Sequence, residues 1–184
     1  ANEEEEVSEL LEQQFLDSGI EVLTGHRAVS ARPGKGGHKV VVVRNDTTGA
    51  TQEIDCEEIL VSTGVRSNAD RLAVEKTGVE VDQRGWIRTD TYLQTNVPGI
   101  WALGDINGKY QFRHKANYEA DVLAGNLFRH AGDPERKQVH YDAVPWAIFT
   151  YPQIAHVGMT EAQARGAYDS IRALRETVAS DPAR

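Results

Sequence analysis

Thr95-Asn96-Val97-Pro98-Gly99-Ile100-Trp101-Ala102-Leu103-Gly104-Asp105 is the stretch whose reading decides the fold. Pro98-Gly99 predicts a turn, because proline presets one backbone angle and glycine accepts the next. Residues 100–103 are a short apolar run with the length of a buried strand. The run ends on Gly104-Asp105, which puts a carboxylate at the carboxyl end of that strand, where an open α/β sheet binds its ligands. Asp105 can accept hydrogen bonds from ligand hydroxyls, and Gly104 is expected to let a ligand approach the backbone. Read alone, the same residues also describe an aspartate that closes a strand and caps a turn.

Outward from this stretch, the chain alternates helical and strand patterns. Val7, Leu10, Leu11 and Phe15 recur at helical spacing, predicting an amphipathic helix over residues 3–18 with Glu3 to Glu6 in its first turn. Strands are predicted at residues 20–23, at 29–32 (weak), at 39–44 with four consecutive valines, at 50–54 and, as a buried strand, at 58–62. Pro33-Gly34-Lys35-Gly36-Gly37 is a hairpin loop; a phosphate loop would end in Gly-Lys-Ser/Thr and open a helix. Residues 69–78 are predicted to be a short helix, and Gln83-Arg84-Gly85 a turn. A further helix starts near His114, with Ala116, Ala120, Leu123, Ala124 and Leu127 as its close-packing face. Residues 145–150 form a strand, Ile154 to Val157 continue the sheet, and Thr160 with Gln163 makes a capping box that starts a last helix. Tyr168, Ile171, Leu174 and Val178 carry that helix on, and the last five residues are expected to fray.

Bulk properties narrow the function. Of 184 residues, 40% are apolar and 26% charged, with a formal charge of −8. That balance argues against a nucleic-acid or anionic-membrane surface. No apolar run approaches the roughly 20 residues that span a bilayer, and the acidic residues 3–6 have the wrong charge for a secretory leader. One cysteine, Cys56, rules out an internal disulfide and suits a reducing cytoplasm. It lies in Glu53-Ile54-Asp55-Cys56-Glu57-Glu58, an acidic setting that predicts a structural rather than a reactive thiol. His156 has no second ligand at metal spacing and is expected to be a satisfied surface histidine; no metal site is predicted.

Four segments, in order, resemble the pyridine nucleotide-disulfide oxidoreductases, the two-dinucleotide-binding flavoproteins that include dihydrolipoamide dehydrogenase, glutathione reductase and mercuric reductase. Residues 94–105 resemble the family's second flavin-binding motif, which implies that Asp105 binds the ribityl chain of FAD and that Gly104 lies beside it. Thr63-Gly64-Val65-Arg66-Ser67-Asn68 is similar to the segment that closes the NAD(P)-binding domain, implying that the Gly64 backbone passes the nicotinamide nucleotide. Gln111-Phe112-Arg113-His114-Lys115-Ala116 is similar to the loop and helix start presented to the isoalloxazine ring. The resemblance implies that these backbone N–H groups stabilise negative charge on the reduced flavin, with His114 a positional residue and no catalytic residue in the chain. Phe112 stands where the family usually has Leu, closer to its mercuric-reductase branch. Residues 152–161 resemble the opening of the dimerisation domain.

The resemblance implies an α/β fold: part of a Rossmann-like FAD/NAD(P)-binding pair of domains with a β-meander, followed by the start of an α+β dimerisation domain. Residues 1–66 would be the later part of the NAD(P)-binding domain, 67–140 the later part of the FAD-binding domain, and 141–184 the beginning of the dimerisation domain. The implied activity is FAD-dependent NAD(P)H oxidoreduction in a homodimer, hydride passing from nicotinamide to flavin and electrons then to a disulfide or related acceptor. The chain contains no Gly-x-Gly-x-x-Gly fingerprint and no pair of cysteines. It is therefore expected to be an inactive piece of a longer protein, about 40% of a family member by ordinary domain sizes. A flavoenzyme of the same architecture without a redox disulfide, and a non-catalytic interaction module, are the alternatives.

Overall fold

The computed structural model describes residues 3–179, and in the last helix side chains only as far as residue 171. The chain divides into two compact units, Glu5–Gly64 and a second unit that runs from Val65 onward and takes in Glu3 and Glu4.

The first unit holds helix α1 (Glu5–Asp17) and a meander of β1 (His26–Pro33), β2 (Lys39–Asn45) and β3 (Thr51–Cys56). The three strands are antiparallel in the order β1-β2-β3, with a bulge in β1 between Ala28 and Ser30. β2 is central because its valines suit a pleated, half-buried surface, and Val40 and Val43 are its buried residues. Arg32 Nη2 of β1 lies 2.6 Å from Glu53 Oε2 of β3, and Lys39 Nζ of β2 lies 2.9 Å from Glu58 Oε2, just past β3. The glycine-rich segment is the β1–β2 hairpin loop, as expected, tightened by a 3-10 turn at Lys35–Gly37. Cys56 is half-buried, its Sγ 3.5 Å from the Lys39 carbonyl.

Two expected strands do not form. Residues 20–23 and 58–62 carry no strand pairing, and Leu60 and Val61 are 92% and 75% exposed. An apolar run becomes a buried strand only when neighbours pair with it and a layer covers it, and no described strand of this unit lies beside either segment. α1 likewise has no buried residue.

The second unit is mostly turns and short pairings. Residues 69–78 form turns and a 3-10 segment, Val74–Lys76, rather than the expected helix; Ala73 stands at φ +50° where a helix would continue. Asp82 Oδ1 accepts the Arg84 and Trp86 N–H groups and so shapes the expected turn before the Val81–Ile87 bridge. The central stretch is the return arm of a tight hairpin. Thr95 N–H donates to Ile100 O and Ala102 N–H to Leu93 O, around a turn with Gly99 at φ +83°. That angle is what a type II turn asks of the residue after proline. The expected strand at 100–103 is thus reduced to a Gln94–Trp101 bridge. Two apolar clusters flank it: Ala69, Val79, Ile87 and Ala102 on one side, Leu93, Val122 and Val139 on the other. Leu93 is fully buried at φ +64°, a left-handed conformation rare for leucine that its burial sustains.

α2 (Arg113–Asn126) follows, then the two-stranded antiparallel sheet of β4 (Trp146–Ile148) and β5 (Ile154–His156), and α3 (Glu161–Ala179). The expected capping box is present: Thr160 N–H donates to Gln163 Oε1 at 3.0 Å and Gln163 N–H to Thr160 Oγ1 at 3.2 Å. Glu4 Oε1 takes the Glu161 N–H as well, and Glu3 is engaged with β4 and β5, so these two glutamates are not part of a solvated helix start. Among the described residues no helix is long and apolar enough to cross a membrane.

Candidate functional site

The start of α2 forms one wall of a cleft of about 650 Å³; the other wall is the β4–β5 hairpin. Phe112 is the N-cap residue, in extended conformation (φ −123°, ψ 134°), and offers no side-chain cap. The leading N–H groups of a helix have no intrahelical partner, so α2 presents unfilled donors and the positive end of its dipole at this place. The cleft is largely aromatic. Phe112 stacks on His114 with ring centres 5.4 Å apart, and lies 6.1 Å from Trp146 at an interplanar angle of 16°. Trp146 in turn stacks on His156 at 4.0 Å and 8°. Trp146 Nε1 donates to Glu3 Oε1 at 2.6 Å, while the His156 ring nitrogens lie 3.2 Å from Glu3 Oε2 and 2.9 Å from Gly158 O. His156 is satisfied, as expected, but it is a half-buried wall of the cleft and not a surface residue; the stacking on Trp146 and the Glu3 contact draw it in.

Beneath the cleft, α2 is fastened by a polar face. Its buried residues are Lys115, Glu119, Val122 and Asn126, one stripe at helical spacing. Glu119, 1% exposed, accepts from Gly104 N–H at 2.6 Å, Asn107 Nδ2 at 3.1 Å and the Tyr141 hydroxyl at 2.7 Å. Lys115 Nζ donates to His140 O at 3.0 Å and lies over the rings of Tyr141 and Tyr118, 3.7 and 4.2 Å from their centres. Asn126 Nδ2 donates to Lys137 O and its Oδ1 accepts Lys137 N–H. The expected alanine-rich face is instead half-buried or exposed. The backbone of residues 104, 137 and 140 needs donors and acceptors from whatever covers it, and the polar stripe supplies them where alanines cannot. Apolar periodicity cannot detect such a stripe; Lys-x-x-x-Glu-x-x-Val-x-x-x-Asn is its only mark in the sequence.

The two titratable groups facing Glu119 are shifted. Burial lowers the Lys115 ammonium, an effect Glu119 opposes and Lys109 adds to. Burial pushes the Tyr141 phenol above its ordinary value of 10.0, and the hydrogen bond to Glu119 and its charge push the same way. The fold therefore favours neutral Tyr141. Its contribution to stability is complete below pH 10.0 and is lost as the pH rises toward the raised folded value. Lys115 acts oppositely: the fold favours its neutral form, so its contribution grows as the pH approaches 10.5 from below. In an ultraviolet titration of the six tyrosines, one should ionise last, together with alkaline unfolding, and Tyr141→Phe should remove that late step. A single common titration of all six would contradict this arrangement.

The residues named from the sequence fall in four places. Gln111, Phe112, Arg113 and His114 come together on the cleft. Gly104 and Ala116 lie back to back: a Cβ on Gly104 would stand 3.3 Å from the Ala116 Cβ. The close approach that Gly104 permits is thus that of α2, not of a ligand, and its N–H is spent on Glu119. Asp105 opens the exposed side of the 3-10 turn Gly104–Asn107, and its carboxylate has no hydrogen bond or ion pair among the described residues. Gly64 belongs to the first unit, where it is exposed at φ +98° with open space around it. Sequence reasoning missed Trp146 and His156 as walls of the cleft. Aromatic residues flanking short strands were the available signal.

Residues 1–120 match the family model described as pyridine nucleotide-disulphide oxidoreductase. The dihydrolipoyl dehydrogenase of Cupriavidus necator is 35% identical over 162 residues, covering 88% of this chain and 33% of the relative. That of Mycobacterium leprae is 37% identical over 171 residues, covering 92% and 35%. The chain belongs to the pyridine nucleotide-disulphide oxidoreductase family, and it spans about a third of the length of the relatives it matches. In fold it is similar to the HOCl-induced flavoprotein disulfide reductase RclA from Escherichia coli, in its Cu(II) complex, with a TM-score of 0.76 at 23% identity over 90% of this chain and 35% of that one. The expected fold class, a partial two-dinucleotide-domain α/β fold, agrees with both comparisons.

Proposed function

We propose that this chain is a segment of an FAD-dependent NAD(P)H oxidoreductase of the dihydrolipoyl dehydrogenase kind. In that protein, residues 1–66 would belong to the NAD(P)-binding domain, 67–140 to the FAD-binding domain and 141–184 to the opening of the dimerisation domain of a cytoplasmic homodimer. The observation that carries the reading is the uncapped start of α2 on an aromatic cleft, with the unpartnered Asp105 carboxylate in the same unit. These residues fit the flavin end of FAD. Asp105 would hold a ribityl hydroxyl, and the first N–H groups of α2 would favour negative charge on a reduced ring. When bound, FAD supplies hydride acceptance from NAD(P)H and delivery of electrons to a second acceptor. Phe112 and Trp146 would exclude water from the ring, and Glu119 would keep Asp105 in place through the Gly104 N–H. The pyrophosphate end has no Gly-x-Gly-x-x-Gly fingerprint in this chain to hold it. With Cys56 alone, the electron acceptor cannot be a disulfide within the chain.

The 184-residue chain should therefore purify without stoichiometric FAD, while a longer polypeptide that contains it should purify yellow. In the longer protein Asp105→Ala should weaken FAD retention by one to two powers of ten, the worth of a charge-assisted hydrogen bond of about 1.5–3 kcal/mol, and alter turnover of the FAD-loaded fraction less. A flavoprotein from the chain alone would overturn the missing-fingerprint argument. Unchanged FAD affinity in Asp105→Ala would reduce that residue to closing a turn.

A further inference from the structure

Two rings of the cleft wall, Trp146 and His156, are held by one carboxylate. Glu3 is not among the residues that line the cleft, yet its Oε1 accepts the Trp146 Nε1 hydrogen at 2.6 Å and its Oε2 stands 3.2 Å from His156 Nδ1. The second ring nitrogen of His156, Nε2, lies 2.9 Å from the Gly158 carbonyl oxygen. The side chains of His156 and Glu3 are only 10% and 16% exposed, so water has little room to stand in for any of these partners.

Both histidine nitrogens therefore face oxygen. A carbonyl and an ionised carboxylate can only accept, and a neutral imidazole has one N–H and one lone pair. A neutral His156 beside an ionised Glu3 would satisfy one oxygen and turn its lone pair on the other. Both contacts are made when the pair holds one more proton, whether as imidazolium facing carboxylate or shared between the two groups. The same proton strengthens the ring stack. Trp146 lies 4.0 Å from the His156 ring at an interplanar angle of 8°, and a cation within about 6 Å of an indole face is attracted to it. Arg113 and His114 of α2 also line the cleft, His114 stacked on Phe112, while Glu4 is engaged with the Glu161 N–H at the start of α3. Among the described residues, Glu3 is the acid paired with His156.

We infer that Glu3 is a positioning residue for the cleft: while the Glu3–His156 pair holds its proton, the carboxylate fixes the Trp146 indole in the wall, and loss of that proton releases it. The cleft is thus firm at low pH and loosens as the pH rises. That the fixed wall serves a flavin ring rests on the function proposed above; the proton-dependent contact itself does not.

The test records the three indole N–H resonances of the whole 15N-labelled chain from about pH 5 to 8, the range in which histidine ordinarily changes charge. Trp146→Phe assigns the Trp146 signal. In the parent that signal should move upfield in one step as the pH rises, while Trp86 and Trp101 stay in place and report an intact fold. Glu3→Ala should hold it at the upfield position throughout. Glu3→Gln should keep it near the low-pH position throughout, because the amide oxygen accepts the indole hydrogen while its N–H donates to neutral His156. His156→Phe keeps a ring against Trp146 but carries no proton, so the step should vanish. The inference is overturned if the Trp146 signal is indifferent to pH in the parent, if the step survives in His156→Phe, or if Glu3→Gln titrates as the parent does. The flavin reading would fail separately, as FAD retention in the longer protein that Glu3→Ala leaves unchanged while the indole step stands.

Discussion

Glu119→Ala should cost the Val65-onward unit about 3–5 kcal/mol, a large share of what an ordinary domain has. The carboxylate is the common acceptor for a backbone N–H at Gly104, an amide at Asn107 and a phenol at Tyr141. Removing it orphans all three, two of them on buried residues, and leaves a void at a site 1% exposed. Replacement by Gln should cost far less, about 1–2 kcal/mol: its oxygen can keep the Gly104 and Asn107 donors while its amide donates to the Tyr141 oxygen. All three tryptophans, Trp86, Trp101 and Trp146, lie beyond Val65, so urea unfolding followed by tryptophan fluorescence reports on this unit. An Ala variant within about 0.5 kcal/mol of the parent, the range of a neutral surface change, would mean that the three donors do not depend on Glu119. A functional consequence follows too. Gly104 N–H is anchored one residue before Asp105, so the Ala variant should also weaken FAD retention in the longer protein.

Gly108→Ala should be nearly as damaging, at about 2–5 kcal/mol. Two costs add. At φ +70° the residue is left-handed, which an L side chain adopts reluctantly. The new methyl would also stand 2.2 Å from Cγ and 2.6 Å from Cδ1 of Trp86, a buried ring with little freedom to withdraw. Gly99→Ala, in the same unit, separates the terms: its φ is +83° but nothing lies within 4 Å of the added methyl, so only the backbone cost of about 1 kcal/mol should appear. Thermal unfolding of both variants, with the Trp86 indole resonance as a local reporter, measures the difference. Equal losses in the two would show that Trp86 yields to the methyl.

What could be read in advance was what local physics decides. Pro98-Gly99 makes its turn wherever it stands, because the two residues set their own backbone angles. The valines of β2 form a strand because the β1 and β3 partners lie a few residues away and pair as hairpins. Thr160 and Gln163 cap α3 across three residues. The motif resemblance was equally legible, and with it the family, since it rests on short segments in fixed order.

The rest was decided by what is near in space and far in sequence. Residues 58–62 have a strand's composition, yet Leu60 is exposed because burial requires a neighbour that no local pattern provides. Gly104 looked like room for a ligand, and the room is filled by Ala116 of α2. His156 gained its place from Trp146 and from Glu3, a residue at the other end of the chain. The sequence by itself determined the family, the turns and caps, and the residues at the start of α2. Only the tertiary structure decided which face of α2 is buried. Unpaired backbone groups at residues 104, 137 and 140 had to be satisfied there, and a charged and amide-bearing stripe does so where an alanine face cannot.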